Sequence, residues 1–376
     1  MTGIYIHIPF CKQACNYCNF HFSTSLRLKE EFIAALTTEI YLSTKTGFIK
    51  DSKVQTLYFG GGTPSILDKE DLQLIFSSLK KYFVIADKAE ITLEANPDDI
   101  SIEKLQLWKK LGINRLSVGI QSFSEAELIW MNRAHTAADS LKCIDEIIEA
   151  GFTDFSIDLI YGSPLLSNTE WKKTIALVID KNIPHISCYA LTVEPKTALE
   201  KQIRNKTKVP VDAEKQAEQF IILTTMLQQA GYEHYEISNF AKPDFRSKHN
   251  SSYWQGKPYY GFGPSAHSFN GIARRWNIAN NALYIQSLKN NIIPFEEEQL
   301  TGVQQLNEYI MTSLRTMEGI SLDVAAEKFG EENKNTLLLK SKKWLVDGKM
   351  IHQPPALVLS DEGRLFADGI AADLFF

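Results

Sequence analysis

A chain of 376 residues with 44% hydrophobic and 23% charged side chains has the balance of a folded globular protein, which excludes a disordered or fibrous one. Its formal net charge of -5 gives no general reason to expect a nucleic-acid partner, and none is assigned. No apolar run is long enough to cross a bilayer, and "MTGIYIHIPF" lacks a basic leader and a small-residue cleavage site, so a cytoplasmic location is expected.

Along the chain, "GIYIHI" reads as a strand and "LKEEFIAALTTEIYLS" as the helix that follows it. The pairing repeats with "VQTLYF" and "KEDLQLIFSSLKKYF", with "EITLEA" and "SIEKLQLWKKLG", and with "RLSVGI" and "SLKCIDEIIEAG". It continues through "DFSIDLI" with "WKKTIALVIDK", and "HISCYAL" with "EKQAEQFIILTTMLQQAG". Strand-helix units in series predict an α/β fold on a parallel sheet, either open or curled toward a barrel. Polar and glycine residues collect just after the strands, in "PFCKQAC", "GGGTPS", "NPDD", "QSF" and "YGSP". Ligand sites in such folds lie at the carboxyl ends of the strands, so the chemistry is expected on one rim.

From about residue 232 the period breaks into a long aromatic and glycine-rich stretch, and helical spacing returns near residue 300. The tail reads as three helices followed by a small hairpin, a winged-helix-like arrangement without a marked basic excess. Three parts are therefore expected: residues 1–235, a connecting region 236–298, and a mainly helical domain 299–376.

Three of the five cysteines, Cys11, Cys15 and Cys18, crowd the loop behind the first strand. A reducing compartment keeps such thiols free as metal ligands. Iron-sulfur clusters take four thiolates, so three leave one iron open to a cofactor or substrate. Cys11, Cys15, Cys18 and His21 could instead close a structural zinc site. Cys143 and Cys188 lie in a helical and a strand pattern and read as core residues. In the turn after the second strand, Gly60, Gly61 and Gly62 permit close backbone approach and Thr63 adds a hydroxyl. A glycine triplet alone is also an ordinary tight turn.

"CKQACNYC" is similar to the CxxxCxxC signature of the radical S-adenosylmethionine enzymes, and its place after the first strand of an α/β chain adds to the resemblance. The resemblance implies a partial (β/α)6 barrel holding a [4Fe-4S] cluster and S-adenosylmethionine. It makes Cys11, Cys15 and Cys18 the cluster ligands, and Gly61, Gly62 and Thr63 of "GGGTPS" contacts of the methionine amino group. By the same resemblance Glu94, Gln121, Arg133 and Asp158 become cofactor contacts, with Tyr5 and Tyr17 as contacts of shape. Residues 10–24 are expected to depend on the metal for their order.

"YIHIPFC", "GGGTPS", "LEANPDD", "RLSVGIQSF", "RAHT" and "DLIYGSP" together resemble the oxygen-independent coproporphyrinogen III oxidase group and its haem chaperone relatives. In the oxidases a fourth cysteine follows two residues after the third and an arm precedes the barrel. Here Phe20 stands at that place and Cys11 comes almost at once, which favours the chaperone branch. "HNSSYW" matches the HNxxYW motif linked to haem binding there, so His249, Tyr253 and Trp254 become haem contacts, with His249 as axial ligand and His267 as the alternative. His7 is read as support for the cluster loop. The resemblance implies a protein that binds haem and delivers it to acceptor proteins, membrane respiratory enzymes among them, and leaves homodimer formation open. The alternative is oxidative decarboxylation of coproporphyrinogen III.

Overall fold

In β1 (Thr2–Ile8), Ile4, Ile6 and Ile8 are fully buried on one face while Gly3, Tyr5 and His7 turn to the other. The alternation recurs in β2 (Val54–Gly61), β3 (Ile85–Ala95), β4 (Arg115–Gln121), β5 (Phe155–Tyr161) and β6 (His185–Ala190). Leu57, Phe59, Leu93, Leu116, Val118, Ile157 and Ile186 continue the apolar face. Tyr58, Thr92, Glu94, Ser117, Asp158 and Ser187 continue the polar one. All neighbouring pairs among the six are parallel, in the order β1 to β6. The result is a parallel sheet whose outer face is sealed by helices and whose inner face is polar enough to line a cavity.

The computed structural model describes residues 2–48 and 53–376. Helices α1 (Lys29–Ser43), α2 (Lys69–Tyr82), α3 (Ile102–Leu111), α4 (Glu125–Met131), α5 (Ala137–Glu149), α6 (Asn168–Asp180), α7 (Ala198–Arg204) and α8 (Ala213–Gln229) carry the crossovers. Their starts follow the side chains that can cap them. Asp68 and Asp71 form a capping box on α2, Thr136 and Asp139 another on α5, and Ser101 and Ser167 cap α3 and α6. Apolar faces of α1, α2, α3, α5, α6 and α8 meet the strands in one continuous core that includes Cys143 and Cys188.

The stretch 236–298, read from sequence as a connecting region, is built into that same core and sheet. β7 (Glu233–Glu236) and β8 (Asn239–Ala241) form a hairpin beside β6, and α9 (Lys248–Trp254) follows. β9 (Tyr259–Phe262) then pairs in parallel with β1, and β10 (His267–Phe269), β11 (Ala273–Asn277) and β12 (Phe295–Gln299) extend the sheet antiparallel to twelve strands. α10 (Asn281–Lys289) buries Tyr284, Ile285 and Leu288 against the main core. These strands have three to five residues each, too short for a period to register in the sequence.

A second, separate core lies in the tail, built by α11 (Gly302–Leu314), β13 (Ile320–Ser321), α12 (Leu322–Phe329) and α13 (Glu331–Val346) with the hairpin β14 (Met350–Gln353) and β15 (Ala356–Leu359). The three helices and the hairpin are those expected from sequence. β13 adds a third strand to the hairpin, and α14 (Asp361–Arg364) and α15 (Ala367–Leu374) close the domain with Ile370 and Leu374 fully buried.

One contact fixes how the aromatic stretch enters the sheet. Glu90 of β3, 5% exposed, accepts hydrogen bonds of 2.8 Å from the backbone N–H groups of both Lys248 and His249 at the start of α9. A carboxylate at a helix N-terminus satisfies otherwise orphaned donors and meets the positive end of the helix. α9 thereby plugs one end of the polar lumen. Glu90→Ala is expected to cost about 2–4 kcal/mol, because two buried donors lose their acceptor. Glu90→Gln should retain about half of that stability, as read from urea unfolding of the two variants.

Candidate functional site

At the carboxyl end of the parallel strands a cavity of about 480 Å³ opens. It is lined by Cys11, Cys15 and Cys18 on one side and by the polar inward residues of the strands on the other. The cysteine loop reaches it because the protein ties the loop down repeatedly. The Cys11 N–H donates to Ser23 O at 3.0 Å and the Ser23 N–H to Pro9 O at 2.9 Å, closing its base. Asn16 bonds to Met131 O and Trp130 O, Asn132 donates to Ala14 O, and the Leu199 N–H to Asn16 O. Residues 10–24 thus have protein partners on α4 and α7 besides any metal they hold.

The thiols differ in their surroundings. Burial pushes the Cys11 thiol up to about 11, against a lowering hydrogen bond from Thr63. Burial also raises Cys18, opposed by the backbone N–H of Phe20. Arg133 donates to Cys15 Sγ at 3.3 Å, to Asn96 Oδ1 at 2.7 Å and to Gly119 O at 2.8 Å, while its Nε is buried with no partner. A buried guanidinium held at these points and by Tyr17 is a fixed positive charge in the cavity wall, suited to an anionic group brought in by a ligand. Metal affinity for such thiols rests on deprotonation, which a bound cation would itself drive.

Opposite the thiols, the turn after β2 lets the ligand come close to backbone. The Gly62 N–H donates to Ile8 O at 2.8 Å and the Thr63 N–H to Phe10 O at 2.7 Å. A Cβ on Gly62 would lie 2.5 Å from Phe10 O, and Gly61 has φ +108, so neither position tolerates a side chain. His7 packs over Gly61, accepts from the Tyr5 hydroxyl at Nδ1 (3.2 Å) and meets His21 O at Nε2 (2.9 Å). It supports the glycine turn and the cysteine loop together, as expected for it. Tyr17 lines the cavity. Tyr5 is not among its lining residues and stacks on Tyr58.

Glu94 and Asp158 project inward from β3 and β5. Glu94 accepts from the Tyr58 hydroxyl at 2.8 Å and the Gly61 N–H at 3.2 Å. Burial, with Asp158 nearby, holds its carboxyl up at about 7. Burial likewise raises Asp158 to about 6 although Ser187 and Ser117 bond to it. Gln121 lines the cavity with φ 65 at a register shift in β4, a strained placement of the kind found beside functional sites. Sequence reasoning missed Asn96, which joins Arg133 to the Thr63 hydroxyl, and Gly119, where a Cβ would sit 3.0 Å from Gln121. Both lie in segments quoted as strand ends, the signal that could have found them.

Among the described residues, no group of three or more His, Cys, Asp or Glu converges on a point that one ion could occupy. His21 is turned to Asn281 Oδ1 at 2.7 Å. The Cys3His zinc alternative therefore finds no support, whereas a multi-iron cluster takes each thiolate on a different metal. Three thiolates, a buried guanidinium, a glycine cradle and inward carboxylates fit a cluster and a zwitterionic nucleotide together. Phe20, at the place of a fourth cysteine, is 69% exposed at the cavity rim.

The HNxxYW motif forms α9 and borders two chambers. His249 is wholly buried in the lumen, with Nδ1 2.8 Å from Thr56 Oγ1 and Nε2 2.8 Å from the Tyr253 hydroxyl. It stacks on Tyr58 at 5.0 Å, and burial beside Arg115 lowers its pKa to about 3. Both ring nitrogens are thus engaged within the protein. Tyr253, one turn on and on the same face, meets His249 through that hydroxyl, and with Trp254 it also lines a second, larger groove of about 1080 Å³ between the sheet and the C-terminal domain.

The carboxyls of the first cavity make a prediction for the protein alone. Their folded pKa values lie above the ordinary ones, so the folded state binds the proton more tightly than the unfolded chain. Stability is then full below about pH 4.5 and falls as pH rises through about 7 for Glu94. Glu94→Gln, neutral throughout, should flatten this fall and be more stable than the parent at pH 8 by about 1–3 kcal/mol, measured by thermal melts across pH.

The radical SAM superfamily pattern matches residues 5–178. The haem chaperone HemW of Bacillus subtilis (strain 168) is 33% identical over 98% of this chain and 98% of that protein. The haem chaperone HemW of Mycobacterium tuberculosis (strain CDC 1551 / Oshkosh) is 31% identical over 99% of this chain and 94% of that protein. Among solved structures, coproporphyrinogen III oxidase (HemN) from Escherichia coli, a radical SAM enzyme, superposes with a TM-score of 0.85 at 22% identity, over 100% of this chain and 90% of that one. At that identity the likeness speaks for the fold, a partial radical SAM barrel with a helical C-terminal domain. Relatives above 30% identity span nearly the whole length, and the chain belongs to the HemW family of haem chaperones within the radical SAM superfamily.

Proposed function

We propose that this protein is a haem carrier that holds a [4Fe-4S] cluster on Cys11, Cys15 and Cys18 and S-adenosylmethionine beside it, and that it passes haem to acceptor proteins. The observation that carries the reading is the pair of separate cavities. One presents three thiolates with polar nucleotide contacts, and the other is a wide groove lined by aromatic side chains. A catalyst that modified a porphyrin would be expected to bring both ligands to one cavity. The near full-length kinship with haem chaperones adds weight, as does Phe20 at the place of a fourth cysteine.

Within the first cavity this chain's own residues do the binding. Arg133 supplies a positive charge facing a carboxylate, Gly61 and Gly62 leave room for the methionine end, and Glu94 in its ionised form accepts from an ammonium. Asp158 and Gln121, which line the same cavity, are read as the contacts of the nucleoside part, with Asp158 taking ribose hydroxyls. Bound there, the cluster supplies electron-transfer chemistry next to the nucleotide. Acceptors are read as haem proteins of the respiratory membrane, and no described helix is long and apolar enough to cross a membrane itself.

Anaerobic reconstitution should yield about four irons per chain, lost when Cys11, Cys15 or Cys18 is changed to Ala. Zinc binding without iron would refute the cluster. Glu94→Gln should weaken S-adenosylmethionine binding roughly tenfold, the size of one charge-assisted hydrogen bond. Haem-loaded protein should restore haem absorbance to a haem-free respiratory enzyme, while coproporphyrinogen III with reductant and nucleotide is left unchanged. Conversion to protoporphyrinogen at useful turnover would overturn the carrier assignment in favour of the oxidase.

A further inference from the structure

Gln121 closes β4 in a conformation that a glutamine rarely takes. The Ser122 N–H donates to Ile120 O at 2.8 Å, a bond that spans the single residue Gln121, and Gln121 has φ 65. This is the positive-φ form of the γ-turn, the rare and strained one of the two. The sheet makes room for it. Val118 pairs with Ile157 and Gln121 with Leu159, so Gly119 and Ile120 together stand opposite Asp158. The extra residue swings Gln121 into the cavity that Asp158 also lines.

Strain of this kind persists only where the surroundings over-determine it. Here one short stretch of chain, α4 and the loop behind it, grips the turn residue by residue. Arg133 donates to Gly119 O at 2.8 Å. His135, 2% exposed, donates from Nε2 to Ile120 O at 3.0 Å, on the same oxygen that closes the turn. Glu127, also 2% exposed, accepts from the Ser122 hydroxyl at 2.7 Å, and that hydroxyl accepts in turn from the Ser124 N–H at 3.0 Å. Gly119, Ile120 and Ser122 are thus each fixed by a side chain from residues 127–135, and Gln121 between them faces the cavity.

Neither His135 nor Glu127 lines that cavity, so they reach a ligand only through the turn. Burial and Arg133 push the His135 pKa down to about 4, which leaves a neutral ring whose N–H is committed to Ile120 O. Ser163, just beyond β5, and Lys215 of α8 face the Glu127 carboxyl. The same side chain therefore spans the ends of the two strands that carry Gln121 and Asp158.

We infer that His135 and Glu127 are positioning residues for nucleoside recognition: they hold a strained turn closed so that the Gln121 amide is preset toward the adenosyl part of the ligand. The inference rests on the reading of this cavity as the S-adenosylmethionine site and adds which residues organise its nucleoside end. A contact preset in this way removes ordering that binding would otherwise have to supply.

The test is equilibrium dialysis of the reconstituted full chain against S-adenosylmethionine, against 5′-methylthioadenosine as its nucleoside half and against methionine as the other half. His135→Phe and Glu127→Met should each weaken both adenosyl ligands about tenfold, the scale of one buried hydrogen bond, and leave methionine unchanged. His135→Gln, which can still donate to Ile120 O, and Glu127→Gln, which can still accept from Ser122, should recover most of the affinity. Ser122→Ala removes the hydroxyl that Glu127 grips with little change in volume and should match Glu127→Met, which covers a failure of the larger changes to fold. In a Gln121→Ala background none of these changes should weaken binding further, a non-additivity that a general loss of stability would not give. Unchanged affinities, equal losses for methionine and nucleoside, or full additivity with Gln121→Ala would overturn the positioning role and leave the cavity's ligand standing. A parent chain that binds neither adenosyl ligand would overturn the ligand and the role with it.

Discussion

The buried carboxylate of Glu90 decides the layout of this protein. The partial barrel has a polar inner face, and such a lumen must be filled with ligand, water or protein. Glu90 draws the first turn of α9 into one end, where two backbone donors meet it at 2.8 Å. The plug leaves the other end open beside the cysteine loop. Because His249 of α9 is buried in the lumen while Tyr253 and Trp254 also line the large groove, one short helix serves as a wall of two unlike chambers. A continuous set of contacts runs between them, from Glu94 through Tyr58 and the stacked ring of His249 to the Tyr253 hydroxyl.

The open end is shaped by the same alternation that builds the sheet. Residues facing the helices are apolar and fully buried, and their neighbours in sequence arrive at the cavity in register: Glu94 beside Ser117, Asp158 beside Ser187. Where β4 breaks register, Gln121 and Gly119 make room for Arg133. The guanidinium then links the cysteine loop, through Cys15, to the strand ends, through Asn96 and Gly119. Loop and barrel are thereby one assembly, with α4 and α7 supplying the outer ties.

Much of this was legible in the sequence because it depends on local period. The six inner strands and the helices that follow them announce themselves by alternation and by caps such as Asp68 and Thr136. The cysteines stood out by their spacing behind the first strand, while Glu94, Arg133 and Asp158 were singled out through the family resemblance. The depth of Tyr5 was hidden because sequence shows only that it faces inward, while its ring stacks on Tyr58. The surroundings of His249 were hidden for a related reason: the motif shows which residues share a helix, while the partners of each nitrogen, Thr56 and Tyr253, come from 193 residues away and from the next turn. The short strands after residue 232 have no readable period, since pairing with β1 and β6 rather than composition makes them strands.

The large groove has walls that belong to two different hydrophobic cores. Contacts holding the walls together include ion pairs, among them Arg246 with Glu318 at 2.7 Å and Arg315 with Glu236 at 3.3 Å. Glu236 is 2% exposed, so its pair with Arg315 is costly to break, and main-chain bonds from the Ile237 N–H to Arg315 O and from the Met317 N–H to Tyr235 O reinforce it. The seam therefore welds the two cores along one edge of the groove, whose width is set by the fold.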